Sequence, residues 1–174
     1  MTIQIDTREK PRAIVRIRDY FDRNGIEYFM EKLDVGDYMI VGNPMRIVDR
    51  KQNLEELCKN VSTVPQKDEY GHIKRGKDGK PLTDHARFIR ELERAQDRGV
   101  QLIILCEHGG SIRTLSDVAG WVNPRLRESK LAMSGKRLHQ ILLTLEKTYG
   151  VQFLFCDKRR TGAEIVRILS GDTP

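Results

Sequence analysis

Two carboxylates and a lysine lie close together in the first third of the chain, where Asp37 is followed by Asp49 and Lys51. Asp49 and Lys51 are two residues apart, so in a β-strand both side chains project from one face and Arg50 projects from the other. Two carboxylates are the ligands that a protein usually supplies to Mg²⁺, and water and a substrate phosphate supply the remaining ligands. A neighbouring lysine can orient or help deprotonate the attacking water and offset charge in the transition state. This pattern fits phosphodiester hydrolysis, although an exposed hairpin with a cross-strand salt bridge has the same residues.

The elements that must position these residues follow from the periodicity of the sequence. Strand-like and helix-like segments alternate, which is typical of an α/β domain. Strands are predicted at residues 3–7, 26–33, 38–41, 46–50, 100–106 and 151–156, and helices at 13–24, 54–60, 86–97, 112–121, 138–145 and 162–169. Gly42-Asn43-Pro44 predicts a hairpin turn, which brings Asp37 beside Asp49. No repeat or linker interrupts the pattern, so we expect a single domain spanning residues 1–174.

Residues 64–85 break this alternation with a stretch rich in Gly, Pro and Lys. The composition predicts a long loop or a small protruding hairpin, and such segments in a compact domain are usually functional or disordered. Its basic residues outnumber its acidic ones, and Tyr70 could stack on a base. We hypothesise that the segment is an arm that grips DNA, and a mobile solvated loop is the alternative.

Composition narrows the class of protein further. The 174 residues carry 31 Lys and Arg against 25 Asp and Glu, and most of the net charge of +6 falls in residues 121–174, as suits phosphate contacts. No apolar run approaches the ~18 residues that span a bilayer, and no signal-peptide core is present. We therefore expect a cytoplasmic protein without a membrane partner. The cysteines and histidines show no CxxC or HxxxH spacing, which argues against disulfides and zinc.

A longer string of residues carries a resemblance to a known family. The chain has Gly36-Asp37, followed later by Asp49-Arg50-Lys51 and, after three more residues, Glu55. This string resembles the signature of XPF-type structure-specific endonucleases, which is Gly-Asp, then Glu-Arg-Lys, three residues and Asp. Asp49 stands where that family has Glu, and Glu55 where it has Asp, so both departures keep the carboxylate. Residues 5–9, 87–95 and 102–107 are similar to the family's first strand and to its later helix and strand.

This resemblance implies a three-layer α/β/α restriction-endonuclease-like fold with a central mixed sheet. It also implies a Mg²⁺- or Mn²⁺-dependent endonuclease that cuts DNA near branches, flaps or junctions during repair or recombination, with no small-molecule cofactor. Carried over residue by residue, the resemblance implies that Asp37 and Asp49 are metal ligands and that Asp6 is a further acid and ligand. It also implies that Lys51 is the catalytic lysine and that Glu55 is a supporting carboxylate. Arg50 would be a structural or DNA-positioning residue.

The family's partners raise two further expectations. Members commonly carry a tandem helix-hairpin-helix after the nuclease domain, and the sequence leaves no room for one, so basic segments or a second copy in a homodimer must hold the DNA. The basic residues expected to bind DNA are Lys74, Arg75, Lys77, Lys80, Lys136, Arg137, Lys158, Arg159 and Arg160.

Two other functions stay open at this point. One is a DNA-binding partner subunit that keeps the fold without catalysis, and the other is a phosphodiesterase that acts on RNA or nucleotides. A subunit without catalysis need not retain Gly36-Asp37 or Asp49-x-Lys51, and all of these residues are present.

Overall fold

A computed structural model describes residues 1–171. The strands are β1 (Thr2–Ile5), β2 (Glu27–Met30), β3 (Tyr38–Ile40), β4 (Asn43–Lys51), β5 (Gln101–Cys106) and β6 (Gln152–Phe155). The helices are α1 (Val15–Arg23), α2 (Leu54–Asn60), α3 (Asp84–Asp97), α4 (Gly135–Tyr149) and α5 (Thr161–Ser170). Each predicted strand is present. The helix predicted at 112–121 is instead a short 3₁₀ helix at Ser116–Gly120, followed by another at Pro124–Arg127.

The six strands form one mixed sheet in the order β2-β1-β3-β4-β5-β6. β3 runs antiparallel to both β1 and β4, whereas β2 is parallel to β1, and β5 and β6 are parallel to β4. Every strand except β3 therefore ends at the same edge of the sheet, where β3 begins. This active-site edge collects the residues that follow β1, precede β3 and end β4, and α/β sheets commonly bind ligands at such an edge.

Helices cover both faces of the sheet, which confirms the three-layer α/β/α architecture. One core cluster joins β4 and β5 to α2, α3 and α4 through residues such as Ile47, Phe88 and Leu142. The other joins the opposite face to α1 and α5 through residues such as Val48 and Ile165. Ile47 and Val48 enter different clusters because successive strand residues alternate between faces. No helix within residues 1–171 is long and apolar enough to cross a membrane.

The segment predicted as a loop or protruding hairpin is a small antiparallel meander between α2 and α3. Pro65 pairs with Thr83, Lys67 with Ile73, and Arg75 with Pro81. We call residues 65–83 the basic arm. Tyr70 lies in its first turn with 77% of its surface exposed, and the Asp68 carboxylate accepts hydrogen bonds from the Tyr70 and His72 N–H groups there. The arm is thus held mainly by its own hydrogen bonds.

A glycine sets the turn into β3. Gly36 has φ of +63°, and a Cβ added there would overlap the Ile47 side chain and lie 3.1 Å from the Val48 carbonyl oxygen. The next residue, Asp37, donates its N–H to that same carbonyl oxygen at 2.8 Å. The turn can therefore lie against β4 only where the residue has no side chain.

We expect Gly36→Ala to destabilise the protein more than Gly25→Ala does. Gly25 has the same φ of +63° with no atom near the added Cβ, so both variants carry the left-handed penalty of about 1–2 kcal/mol. Gly36→Ala adds an overpacking cost of ~1–3 kcal/mol. Urea denaturation of both variants measures the difference, and equal losses of stability would contradict the steric explanation.

Candidate active site

A pocket of about 410 Å³ lies at the active-site edge. Asp37, Asp49, Lys51 and Glu91 line it, and we call these four residues the floor. The exposed side chains of Arg8, Arg87 and Arg94 also line the pocket and form its rim. The acidic groups inside the pocket suit a metal ion, and the cations at its rim suit a phosphate group.

Asp49 and Lys51 meet inside the pocket, as the strand alternation of β4 predicts. Lys51 Nζ donates to Asp49 Oδ1 at 2.7 Å and lies 5.8 Å from the centre of the Phe88 ring. Burial acts to lower the pKa of Lys51, but the negative charges of Asp49 and Asp37 outweigh it and raise the pKa. Lys51 therefore stays protonated at neutral pH.

The other carboxylate oxygen of Asp49 has no partner. Asp49 is 2% exposed, and its Oδ2 atom is buried without a hydrogen-bond donor. A buried polar atom left in this state costs about 1–3 kcal/mol, and more when it is charged. The oxygen therefore marks a place where a cation or a donor from outside the chain would be stabilised.

Asp37 supplies the second carboxylate. Its Oδ2 atom accepts the Arg50 N–H at 2.8 Å. Burial and the neighbouring charge of Asp49 raise the pKa of Asp37 well above its usual value, because two ionised carboxylates repel each other at short range. A divalent cation beside them would reverse that effect. Within residues 1–171, no group of three or more His, Cys, Asp or Glu could hold a metal ion, so two carboxylates are the candidate ligand set.

Asp6 does not line this pocket, although the resemblance made it a metal ligand. Its Oδ1 atom accepts from the Arg8 N–H and Nε at 2.7 Å each, and its Oδ2 atom accepts from the Leu33 N–H at 2.6 Å. Burial acts to raise the pKa of Asp6, but these hydrogen bonds outweigh it and lower the pKa. The carboxylate thus ties the β1 end to the loop before β3.

Glu55, expected as a supporting carboxylate, also faces elsewhere. It lines a separate cavity with Cys58 and Arg137, while its neighbour Glu56 lines the active-site pocket. Glu56 accepts the Gln52 N–H, and its own N–H donates to Asn53. Asn53 thus caps α2, and this cap turns Glu56 rather than Glu55 toward the end of β4.

Helix α3 adds site residues that sequence reasoning did not single out. Its side chains at i, i+4 and i+7, namely Arg87, Glu91 and Arg94, all line the pocket. The Gly36 N–H donates to Glu91 Oε1 at 3.1 Å. Burial and the charge of Asp49 raise the pKa of Glu91. The available signals were the resemblance of residues 87–95 to a helix of the family and the helical spacing of these three residues, which places them on one face.

Arg50 extends from the other face of β4, as predicted, into a buried ionic network. Its guanidinium donates to Glu9 at 2.7 and 2.8 Å and to Glu107 at 3.1 Å. Tyr38 donates its hydroxyl to Glu9 at 3.0 Å. Burial acts to lower the pKa of Arg50, but Glu9, Tyr38 and Glu107 outweigh it and raise the pKa. The network connects the segments after β1 and β5 to β4, so the structural role expected of Arg50 fits its contacts.

The residues expected to bind DNA are all exposed and come from three places. The segment after β6 carries Lys158, Arg159 and Arg160. The first turn of α4 carries Lys136 and Arg137. This helix lies between the parallel strands β5 and β6 in the chain, so it begins near the active-site edge. Lys74, Arg75, Lys77 and Lys80 belong to the basic arm. Two of these side chains have partners among residues 1–171, because Arg75 donates to the Gly79 carbonyl and Arg160 pairs with Glu164.

We expect Arg50→Ala to destabilise the fold by about 3–5 kcal/mol, since it leaves two acids buried without their cation. Arg98→Ala is the matched control. Arg98 also forms an arginine–carboxylate pair, with Asp34, but the two side chains are 53% and 59% exposed, so its loss should be nearly neutral because exposed ion pairs contribute little to stability. Chemical denaturation of both variants measures the difference. A cost below that of Arg98→Ala would show that the buried network does not stabilise the fold.

Comparison with known proteins agrees with this geometry. The sequence matches the ERCC4 domain family over residues 5–169. XPF from Aeropyrum pernix has a similar structure, with a TM-score of 0.59 and 16% sequence identity over 100% of this chain and 62% of that chain. XPF from Aeropyrum pernix in complex with DNA gives a TM-score of 0.60 at 16% identity, over 97% of this chain and 63% of that chain. No match was found among curated proteins.

The chain thus spans less than two thirds of the length of these XPF chains. The likeness to them covers the mixed sheet with helices on both of its faces. Because the family match includes nearly every described residue, the chain belongs to the ERCC4 domain family and has the restriction-endonuclease-like fold of an XPF-type nuclease domain.

Proposed function

We propose that this domain is a metal-dependent endonuclease that hydrolyses phosphodiester bonds in branched, flap or junction DNA. The observation that carries the proposal is the unpartnered Oδ2 atom of Asp49, a buried carboxylate oxygen in the pocket that Asp37 and Lys51 also line. Burying such an oxygen is costly unless something binds it. A divalent cation is the partner that two adjacent carboxylates favour.

Asp37 and Asp49 would hold Mg²⁺ or Mn²⁺. When bound, the ion polarises a phosphate oxygen and lowers the pKa of a bound water, as hydrolysis requires. The Arg50 N–H fixes the Asp37 carboxylate, and Lys51 fixes one oxygen of Asp49. Both acids are therefore oriented before the ion arrives, which reduces the cost of assembling the site.

Lys51 would supply a positive charge beside the reacting centre, since its ammonium group donates to Asp49 Oδ1 inside the pocket. From its place in the pocket it can donate a hydrogen bond to the attacking water or to a phosphate oxygen, and it offsets the negative charge that develops in the transition state.

The rim and the basic segments would hold the DNA backbone. Guanidinium groups such as those of Arg8, Arg87 and Arg94 bind phosphate oxygens well, because they donate two parallel hydrogen bonds. The basic arm, the first turn of α4 and the segment after β6 would extend this contact beyond the scissile phosphate. The DNA complex of the XPF relative supports DNA as the partner. A homodimer, a role in repair or recombination and a cytoplasmic location stay predictions.

We expect Asp37→Asn, Asp49→Asn and Lys51→Met each to lower the rate of Mg²⁺-dependent cleavage by at least about 10²–10³-fold, since each removes charge from the reacting centre. Cleavage of labelled flap, fork and four-way junction DNA, with and without EDTA, measures the effect. Asp34→Asn is the matched control, because Asp34 is an exposed carboxylate on the same loop as Asp37 that pairs with Arg98. It should cut at the wild-type rate.

Three results would overturn this assignment. Full cleavage by Asp37→Asn and Asp49→Asn would refute the proposed ligands. Binding of the DNA substrates without cleavage in Mg²⁺ or Mn²⁺ would identify a non-catalytic subunit. Faster cleavage of RNA versions of the same substrates would identify an RNA-directed phosphodiesterase.

We expect the Lys74→Ala, Lys77→Ala, Lys80→Ala triple variant to bind DNA less tightly and with a weaker salt dependence. For each lysine that binds a phosphate, its replacement should reduce the slope of log affinity against log salt by about 0.9. Fluorescence anisotropy with labelled junction DNA at several salt concentrations measures both quantities. The structural reason is that all three lysines are exposed on the ordered arm.

A double variant far from the pocket provides the control. Arg23 and Lys147 lie in the last turns of α1 and α4, just before β2 and β6, so they face the edge opposite the pocket. Their replacement by alanine should leave the salt slope nearly unchanged. If the arm variant and this control lower the salt slope by the same amount per residue replaced, the arm contributes only net charge and does not grip DNA.

A further inference from the structure

We propose that Glu91 is the third acidic group of the cation site, through a hydrogen bond to water bound by the ion. This inference rests on the nuclease function proposed above. Glu91 lines the pocket with Asp37, Asp49 and Lys51 although it comes from α3, forty residues after Lys51. Asp6, to which the resemblance assigned the role of a further acid, does not line this pocket.

The charges of the floor do not balance without a cation. Asp37, Asp49 and Glu91 are three carboxylates, and Lys51 is the cation buried among them. With all three acids ionised the floor has two uncompensated negative charges, which is the charge that one divalent ion neutralises. Without such an ion, carboxylates this close repel one another.

Glu91 already makes one hydrogen bond, and that bond does not require its negative charge. Its Oε1 atom accepts the Gly36 N–H at 3.1 Å, which fixes the side chain against the turn that carries Asp37. A neutral glutamine could accept this bond equally well through its amide oxygen. Fixing Gly36 therefore does not explain a negative charge here, whereas binding a hydrated cation does.

Glu91 differs from the other acids near the active-site edge, Glu9, Glu56 and Asp6, each of which already has a partner. Glu9 is paired with the Arg50 guanidinium, and Glu56 accepts the Gln52 N–H at the start of α2. Asp6 is bound by Arg8 and Leu33. Glu91 forms no ion pair among the described residues 1–171, and it lines the same pocket as Asp49, whose Oδ2 atom has no partner.

A contact through water fits the spacing of these acids. No three acidic side chains of residues 1–171 gather closely enough to form a metal cluster, so Glu91 is not assigned as a direct ligand. Mg²⁺ usually keeps several waters and uses one or two carboxylates. Outer groups that bind such waters typically change metal affinity by about 10–100-fold.

The test is Mn²⁺ binding to the full chain in the absence of DNA, measured by electron paramagnetic resonance or calorimetry. We compare the wild type with Glu91→Gln, which keeps the acceptor for Gly36 and removes the charge, and with Glu91→Asp, which keeps the charge. Asp97→Asn is the matched control, since Asp97 is an exposed acid at the end of the same helix. Thermal denaturation without metal reports whether each variant is folded.

We expect Glu91→Gln to weaken Mn²⁺ binding by about tenfold, Glu91→Asp to retain most of the affinity, and Asp97→Asn to bind as the wild type does. The Mg²⁺ concentration for half-maximal cleavage should rise for Glu91→Gln by a similar factor. Unchanged Mn²⁺ affinity in a folded Glu91→Gln variant would overturn the inference while leaving the nuclease proposal intact. A wild type that neither binds Mn²⁺ nor cuts DNA would overturn both.

Discussion

The site depends on the antiparallel pairing of β3 with β4, because that pairing holds two like-charged carboxylates side by side. Asp37 is bonded to β4 through its N–H and through its carboxylate, which accepts the Arg50 N–H. Gly36 allows this close approach because it has no side chain to overlap Ile47. Repulsion between Asp37 and Asp49 is therefore opposed by backbone bonds, and Lys51 offsets only part of it.

Buried charges are compensated on one face of β4 and uncompensated on the other. Behind the strand, Arg50 pairs with Glu9 and Glu107, so the charges are compensated and the network contributes to stability. In front, Asp49 keeps an oxygen without a partner, and the acids outnumber the buried cation. Adjacent residues of β4 thus belong to different environments, since Arg50 is part of a fully paired structural network and Asp49 is part of a site that can bind a ligand. An uncompensated group that costs stability is expected where a protein binds something.

The central site was predictable from sequence, and its surroundings were not. Strand alternation and the hairpin turn bring Asp37, Asp49 and Lys51 together using local rules alone. The surroundings depend on choices that sequence leaves open. Neighbouring side chains on a helix diverge by about 100°, so nothing in the sequence tells which of Glu55 and Glu56 faces β4. Whether Asp6 faces the pocket or Arg8, and where Glu91 lies, depends on tertiary packing.

One residue belongs to both the basic arm and the helix that lines the pocket. Thr83 pairs with Pro65 at the base of the arm, and its side chain caps α3 by accepting the Ala86 N–H at 3.0 Å. Arg87 and Glu91 follow within two turns of that cap. The same residue therefore fixes both the base of the arm and the start of the helix whose side chains line the pocket, so the position of one cannot be set without the other.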